Sequence, residues 1–412
     1  MSQRVIRTLH TVNPTPFSKK HFEHAVNLQP LFNKLSYVLG KQKDILFEML
    51  EGIDDPEFTN PYIQMAVECP DPSGFTFNLL RSDYMVDEPD NVLLQVELNM
   101  ISCAYVGVSS LLCEMNVNNE VPSSPALECF KECMQLADTL WRTKHNIKDD
   151  TVIAFITNQD ERQSNQDLHL LSAQLENAVL ATASELELDD ESGHLVYTGN
   201  DDMRKIVSVA YFRHFYDPEH FDQGTWKWRS RVEQSLAIKV PNAIGFLIGT
   251  KRVQQGLVDM DAFLTSHDLI DVKACFAEQC SLADPRAMEL IKTGSFVLKP
   301  QREGGGHNVF GLDIVEFVSR LSEKEYPMYT LQRLIKPPVV ENVRIIDQTG
   351  CEQTIEKVVQ ELGIYGMILA DNQLDQILYN KAIGHVLRSK EASRNEGCVT
   401  KGYGFLDCPR LV

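Results

Sequence analysis

FVLKPQREGGGHNVFG, residues 296–311, is the stretch on which the reading of the whole chain turns. It opens as a short apolar strand, puts Lys299 at the strand exit, and then runs through Pro300, Glu303 and the contiguous glycines Gly304, Gly305 and Gly306. Glycines in a row let the backbone enter φ > 0 and bring successive N–H groups close to an anion, an approach that side chains obstruct. Lys299 supplies a cation for the same phosphates, and Glu303 is suited to hold the Mg²⁺ that travels with a nucleotide. From these residues alone two readings stay open, a phosphate cradle and a flexible glycine-rich hairpin. No Gly-Lys-Ser/Thr follows, which excludes a Walker loop, and contiguous glycines do not make a dinucleotide fingerprint.

The surrounding 412 residues suffice for two or three substructures, at roughly 100–200 residues each. With 39 Lys and Arg against 58 Asp and Glu, the net charge is -19, a field that repels nucleic acid and anionic membranes. An enclosed, locally basic site can still take an anion. The ten cysteines include no C-x-x-C pair, and the closest spacings, Cys129/Cys133 and Cys275/Cys280, fall in helix-like segments without a histidine at zinc spacing. Buried free thiols in a reducing compartment are expected. No apolar run reaches the length of about 18 residues that spans a membrane, and MSQRVIRTLHTVNPTPF lacks the apolar centre of a signal peptide. A cytoplasmic location is expected, with secretion the alternative if a signal segment has been removed.

Along the chain, residues 1–20 read as an irregular lead-in limited by Pro14 and Pro16. From His21 to Met49 apolar residues recur at helical spacing, and Pro30 predicts a break between two helices. FTFNLLRSDYM (75–85) and VLLQVELNMIS (92–102) read as strands. Alternation in the second puts Gln95, Glu97 and Asn99 on one face, which makes Glu97 and Asn99 neighbours on a metal or the whole face a solvated surface. A helix over Cys129–Lys144 precedes the strand TVIAFIT (151–157), a helix over 164–182 and the strand IVSVAYF (206–212), which together predict a βαβ unit in a mixed α/β fold. Residues 226–240 read as a helix ending at Pro241, after which a Gly-Thr-Lys turn presents Lys251. Beyond the glycines IVEFVSRLSEK reads as a helix, and MYTLQRLI, IYGMILA and AIGHVLRSK as strands.

RSDYM at 81–85, QVELN at 95–99, AYFR at 210–213, GTKRVQQ at 249–255, KPQREGGG at 299–306, ELGIYG at 361–366 and GHVLRSK at 384–390 follow one another in this order. With them the chain resembles the eukaryotic-type glutathione synthetases from about residue 15 onward, as a divergent member short of an N-terminal portion that many members carry. The resemblance implies an ATP-grasp fold, an inserted βαβ substrate domain, a Gly-rich lid and a homodimer. The division it implies is 1–145 for a helical part with the first ATP-grasp segment, 146–250 for the substrate domain, and 251–412 for the ATP-grasp domain with a lid around 285–350. It further implies an ATP- and Mg²⁺-dependent ligase that activates the carboxylate of γ-glutamylcysteine, a thiol dipeptide, as an acyl phosphate and joins it to the amine of glycine or a related amino-acid acceptor.

Phosphoryl transfer needs cations on the phosphates, and the tetrahedral oxyanion that follows needs a fixed donor. By resemblance Glu97, Asn99 and Glu303 hold magnesium, Lys251 and Lys299 the phosphates, and Arg81 the oxyanion. The glycines 304–306, Asn308, Phe310, Gln332, Arg333, Ile335, Glu361, Lys390 and Glu396 fall at nucleotide positions. Ser102, Ala104, Glu161, Gln163, Gln166, Arg213, Tyr216, Arg388, Val399 and Thr400 fall around the peptide and acceptor. A γ-glutamyl head carries an α-amine and an α-carboxylate, for which Glu161 and an arginine are suited partners.

Several positions depart from the family pattern. Ala104 stands for a second serine, Gln163 for asparagine, Phe310 for tyrosine, and Gln332-Arg333 for Met-Glu, which puts a cation in place of a carboxylate. Val399, Thr400 and Lys401 replace a small-residue Val-Ala-Ala turn, adding bulk, a hydroxyl and a charge where the acceptor pocket is shaped. Two expectations follow: a ligase using glycine or another amine, or a synthetase-like protein with little glutathione-forming activity that binds nucleotide or thiol peptide in regulation or host interaction.

Overall fold

A computed structural model describes residues 8–116, 120–148, 151–199, 202–303 and 306–412. The largest sheet is organised by two long strands, Glu352–Asp371 and Gln376–Glu391, joined as an antiparallel hairpin. Phe75–Asp87 pairs with the first of them, and Val92–Asn99 pairs with Phe75–Asp87. At the other end the hairpin curls over. Val340–Ile346 pairs with Glu352–Val358, His10–Thr11 with Val340–Ile346, and Phe405–Asp407 with His10 and again with Leu387–Ser389. The ring of strands thus closes on itself and leaves no pairing edge there, and Val343, Ile345, Val358 and Phe405 fill it.

Strand alternation gives the sheet two apolar faces. Leu362, Ile364, Ile368 and Ala370 belong to the core that includes Phe22, Phe32 and Leu35 of the helix Lys19–Lys41. Tyr365, Met367 and Leu369 belong to a second core with the helices Val106–Met115 and Ala126–His145. The first helix crosses closely at Gly366, where a Cβ would collide with Asn33 Oδ1 and fall 2.5 Å from Gln29 Nε2. Asn33 is itself fixed, donating from Nδ2 to Asn380 Oδ1 at 2.8 Å and to Lys381 O at 3.0 Å. Gly366→Ala is therefore expected to cost about 1–3 kcal/mol. A lower urea midpoint at unchanged slope would report this, and an unshifted midpoint would refute it.

The βαβ expectation is met by parallel pairing of Thr151–Ile156 with Arg204–Phe212, and a strand not expected, Ala178–Ala181, pairs in parallel on the other side after the helices Gln159–Ser164 and Gln166–Ser172. The predicted helix over 164–182 therefore ends early, because a short apolar run does not separate the two periods and parallel pairing wins at Ala178–Ala181. Likewise the helix expected over 226–240 is Gln223–Gln234, and Ile238–Val240 is a strand beside Arg204–Phe212. Pro30 does not break its helix. The chain stays helical to Lys41, with the end at Gln42, whose N–H donates to Val38 and Leu39 carbonyls. Burial of Phe22, Leu28, Phe32 and Leu35 outweighs one missing helical bond. The lead-in is not wholly irregular either, since Thr15–Phe17 pairs with Pro409–Leu411. The ladder uses Thr15 N–H and Phe17 C=O, so Pro16 loses nothing by lacking a donor.

Residues 296–311 form a hairpin. Phe296–Pro300 pairs with Val309–Phe310 and with Tyr329–Arg333, which Gln279–Ser281 joins from the other side. This small sheet has its own core of Cys280, Leu282, Ile291, Phe296, Leu298, Ile314 and Leu331. All ten cysteines are free, and seven are buried, whereas Cys129 and Cys398 are half-buried and Cys351 is exposed. Cys275 and Cys280 do not share a helix, as Cys280 lies in Gln279–Ser281. Among the described residues no helix is long and apolar enough to cross a membrane.

Where the strand ring meets the termini, Asp407 accepts from Thr11 Oγ1 at 2.9 Å, Thr15 Oγ1 at 2.5 Å and Ser389 Oγ at 2.9 Å. Burial nevertheless pushes its carboxyl up to about 6, against those hydroxyls. The folded chain thus holds a proton that the unfolded chain has released. The stability this confers is fully present below about pH 4 and is lost as the pH rises through about 6. Relative to Asp407→Asn, the parent protein is expected to lose roughly 2–3 kcal/mol between pH 4.5 and 7. Parallel pH profiles of the two proteins in urea melts would contradict this.

Candidate active site

A cavity of about 410 Å³ opens where the hairpin sheet, the long strands and the loops of the parallel sheet converge, a volume in the range of small-molecule sites. Its floor is set by a bulge. The register between Phe75–Asp87 and Val92–Asn99 shifts after Asp83, leaving Val96 without a partner. Val96, Glu97 and Asn99 consequently line the cavity, while Gln95 turns away, and its carbonyl accepts from Gln332 Nε2 at 3.2 Å. The expectation that Gln95, Glu97 and Asn99 share one face is corrected by this extra residue, which breaks the period of two. The bulge also frees the Val96 carbonyl, which accepts from Lys299 Nζ at 2.8 Å.

Lys251, at the start of the helix Lys251–Gly256, places Nζ 3.2 Å from both Glu97 Oε2 and Glu303 Oε1. Burial works to raise the Glu97 carboxyl, but Lys251, Lys299, Arg388 and Arg81 outweigh it and hold the group well below the usual range. Burial pushes Glu303 up to about 7, with Lys251 opposing and Glu97 reinforcing. Burial also pushes the Lys299 ammonium down to about 8 despite the pull of Glu97. Both groups are therefore held near neutrality change in a low-dielectric pocket, where an arriving charge moves them most.

The loop carrying Glu303 is anchored rather than loose. Arg302 forms a two-pronged pair with Asp55 at 2.6 and 3.2 Å, and Gln301 Oε1 accepts the Arg252 N–H at 2.9 Å. Gly306 has φ +96, the conformation the glycine run anticipates, and Gly304 and Gly305 lie outside the described residues. Across the cavity Arg333, the cation standing for a carboxylate, pairs with the buried Asp87 at 3.2 Å.

On the peptide side, Ser102 and Tyr105 adopt left-handed φ of 49 and 72 around Cys103 and Ala104. Ser102 Oγ donates to Arg213 O at 2.9 Å, and the Ala104 carbonyl accepts from Tyr365 OH at 2.6 Å. Buried Asp167 clamps the turn by accepting the N–H groups of Tyr105, Gly107 and Val108 and pairing with Arg213 at 3.1 Å. Arg388 pairs with Glu361 and, at 2.7 Å, with Asp83. Lys390 Nζ donates to Asn395 O at 2.5 Å. Three buried polar atoms in this wall, Arg213 Nε, Arg388 Nε and Glu396 Oε1, have no hydrogen-bond partner, which is unusual unless a ligand supplies one.

Of the residues singled out from sequence, all line the cavity except Gln95, Lys251, Gln163, Gln166, Gly306 and Lys401, leaving aside the two undescribed glycines. Lys251 stands behind its two carboxylates. Gln163 is exposed, and between it and Gln166 the wall is formed by Asn165, which caps the next helix by accepting Leu168 N–H at 3.0 Å. Asn165, Asp83, Asp167 and the Arg302–Asp55 pair went unnoticed in the sequence. Asp83 alone had a signal there, since it lies two residues from Arg81 on one strand and so shares its face.

Among the described residues no three His, Cys, Asp or Glu side chains gather as a metal cluster. Glu97, Glu303 and Asn99 nevertheless offer an all-oxygen donor set of the kind Mg²⁺ takes, with Lys251 neutralising the two carboxylates. The chemistry of these donors fits the ion.

A cavity of this kind, with cations and carboxylates interleaved at the mouth of a glycine hairpin, suits a nucleotide-dependent transfer. The sequence model of the eukaryotic glutathione synthase ATP-binding domain matches residues 2–411, and the chain belongs to this family, which it joins as a ligase-type member with an ATP-binding domain. It is 30% identical to the chloroplastic glutathione synthetase of Arabidopsis thaliana over 97% of this chain and 78% of that protein. Against the glutathione synthetase large chain of Schizosaccharomyces pombe it is 28% identical over 97% of this chain and 90% of that protein. The fold is similar to that of a glutathione synthetase-like effector from Globodera pallida solved in apo form, with TM-score 0.75 and 20% identity over 98% of this chain and 90% of that one.

Proposed function

We propose that the protein is an ATP- and Mg²⁺-dependent ligase of the ATP-grasp type that joins the carboxylate of γ-glutamylcysteine to the amine of glycine or a related amino acid. The observation that carries this is the juxtaposition of Lys299, Glu303, Glu97 and Arg81 with Arg213 and Arg388 in the lining of one cavity. In this reading Lys299 neutralises the phosphates. The donor carboxylate attacks the γ-phosphorus, releasing ADP and leaving an acyl phosphate. The acceptor amine then attacks the carbonyl carbon, Arg81 stabilises the oxyanion, and phosphate departs as the amide forms. Glu97, Glu303 and Asn99 would hold Mg²⁺, which supplies charge neutralisation on the phosphates. Lys251 keeps the two carboxylates aligned rather than touching the nucleotide.

Glu161 and Arg213 are proposed to take the γ-glutamyl amine and carboxylate. The hairpin sheet serves as the lid, the parallel sheet as the substrate domain, and assembly as a homodimer belongs to the same proposal. Thr400, whose Oγ1 lies 3.1 Å from Cys398 Sγ in the cavity wall, puts a hydroxyl at the acceptor end that an amine with a polar side chain would meet, and this favours an amine other than glycine as a second reading. ADP release measured with ATP, Mg²⁺ and γ-glutamylcysteine across glycine, alanine, serine and other amines tests both. Turnover with glycine alone supports the first, turnover with another amine the second. Binding of ATP or dipeptide without turnover on any acceptor would defeat both in favour of a binding protein.

A further inference from the structure

Asp83 has no role in the proposed reaction, yet its carboxylate accepts four hydrogen bonds, as many as that of Asp167. Wholly buried, it accepts Arg81 Nε at 2.6 Å and Nη2 at 2.9 Å, Asn99 Nδ2 at 2.8 Å and Arg388 Nη2 at 2.7 Å. The three partners lie on three different strands, Phe75–Asp87, Val92–Asn99 and Gln376–Glu391. Arg388 can reach Asp83 only across the intervening strand Glu352–Asp371, and it does so where that strand has Gly363, the register partner of Asp83. A Cβ at Gly363 would lie 2.7 Å from Asp83 Oδ1 and 2.8 Å from Arg81 Cδ.

Without this carboxylate, Arg81 would keep one long bond, Nη1 to Ala104 O at 3.4 Å, and would face the like charge of Arg388. Glu361 would still hold Arg388, but nothing would hold the two guanidiniums together. A fixed anion between two cations sets their separation and leaves their remaining N–H groups for a ligand.

We propose that Asp83 is a positioning residue, seen through the gap at Gly363, that fixes the spacing between the Arg81 guanidinium and the Arg388 guanidinium and so registers the oxyanion with the bound donor peptide. The inference rests on the ligase reading. Asp83→Asn keeps the shape and removes the charge. It is expected to lower kcat by about 100-fold and to raise KM for γ-glutamylcysteine, while the Kd for ATP stays within about threefold. Gly363→Ala, which crowds the same contact from the neighbouring strand, is expected to give the same split, and Ser82→Ala, a neighbour outside the network, is expected to leave turnover unchanged. Turnover of Asp83→Asn within about threefold of the parent, or ATP affinity falling in step with turnover, would overturn the assignment. Should the parent itself release no ADP, the ligase reading fails by itself. Positioning is then read from Arg81 Nε–H exchange by NMR, expected to be slow in the parent and fast in Asp83→Asn. Equal exchange in the two proteins would overturn it.

Discussion

Lys299→Met is expected to reduce ATP-dependent turnover by about 10³-fold while the fold is retained, making it one of the two most damaging substitutions in the protein. The size follows from what a fixed cation does in phosphoryl transfer, where removing a charge from the transferring group costs about 10³ or more. Lys299 is buried, and its ammonium has one neutral partner, the Val96 carbonyl freed by the bulge. Burial depresses it to about 8, so the free protein bears a cost for keeping the proton that bound phosphates would lift. Methionine occupies much of the same volume without that cost. The variant is therefore expected to melt at the parent temperature or above it, and to lose nucleotide affinity along with rate. In the parent, nucleotide binding above about pH 8 is expected to take up a proton, because phosphates restore the depressed ammonium. Calorimetry in two buffers of different ionisation enthalpy reads this uptake. Wild-type turnover in Lys299→Met would end the nucleotide assignment.

Glu303→Gln is the second. Loss of one oxygen anion from the proposed magnesium set is expected to lower turnover by at least about 100-fold, several kcal/mol of charge stabilisation being at stake. Stability should move the other way or not at all. Burial already pushes the Glu303 carboxyl up to about 7, so the folded protein at neutral pH holds an ion at a cost, and Lys251 keeps Glu97 as its partner in the variant. A paired fall in melting temperature and activity would mean that Glu303 is structural. Excess Mg²⁺ partly restoring the rate would place it on the metal.

Much of this arrangement was legible because the motifs are local. Arg81, Glu97, Lys299, Glu361 and Arg388 each belong to a short run readable in the chain, RSDYM, QVELN, KPQREGGG, ELGIYG and GHVLRSK, and all five line one cavity. The misreadings share one physical cause, that a partner distant in sequence overrules a local preference. Pro30 stays helical because its helix buries a long apolar face, and Ala178–Ala181 becomes a strand because Thr151–Ile156 offers it a parallel edge. Gln95 leaves the metal face because of one unpaired residue that no periodicity announces. Asp167 could not have been picked out at all, since the N–H groups it accepts lie about 60 residues earlier in the chain.

The ribbon between Thr15–Phe17 and Pro409–Leu411 joins the two ends of the chain, and just before it Phe405–Asp407 completes the strand ring by pairing with Leu387–Ser389. Arg388 therefore takes its outer neighbour from a strand that also pairs with His10, across a sequence separation of the kind that parts Thr11 from Asp407, 396 positions. Contacts between residues so far apart carry the largest loop-closure cost, so the frame around Arg388 is expected to close late in folding.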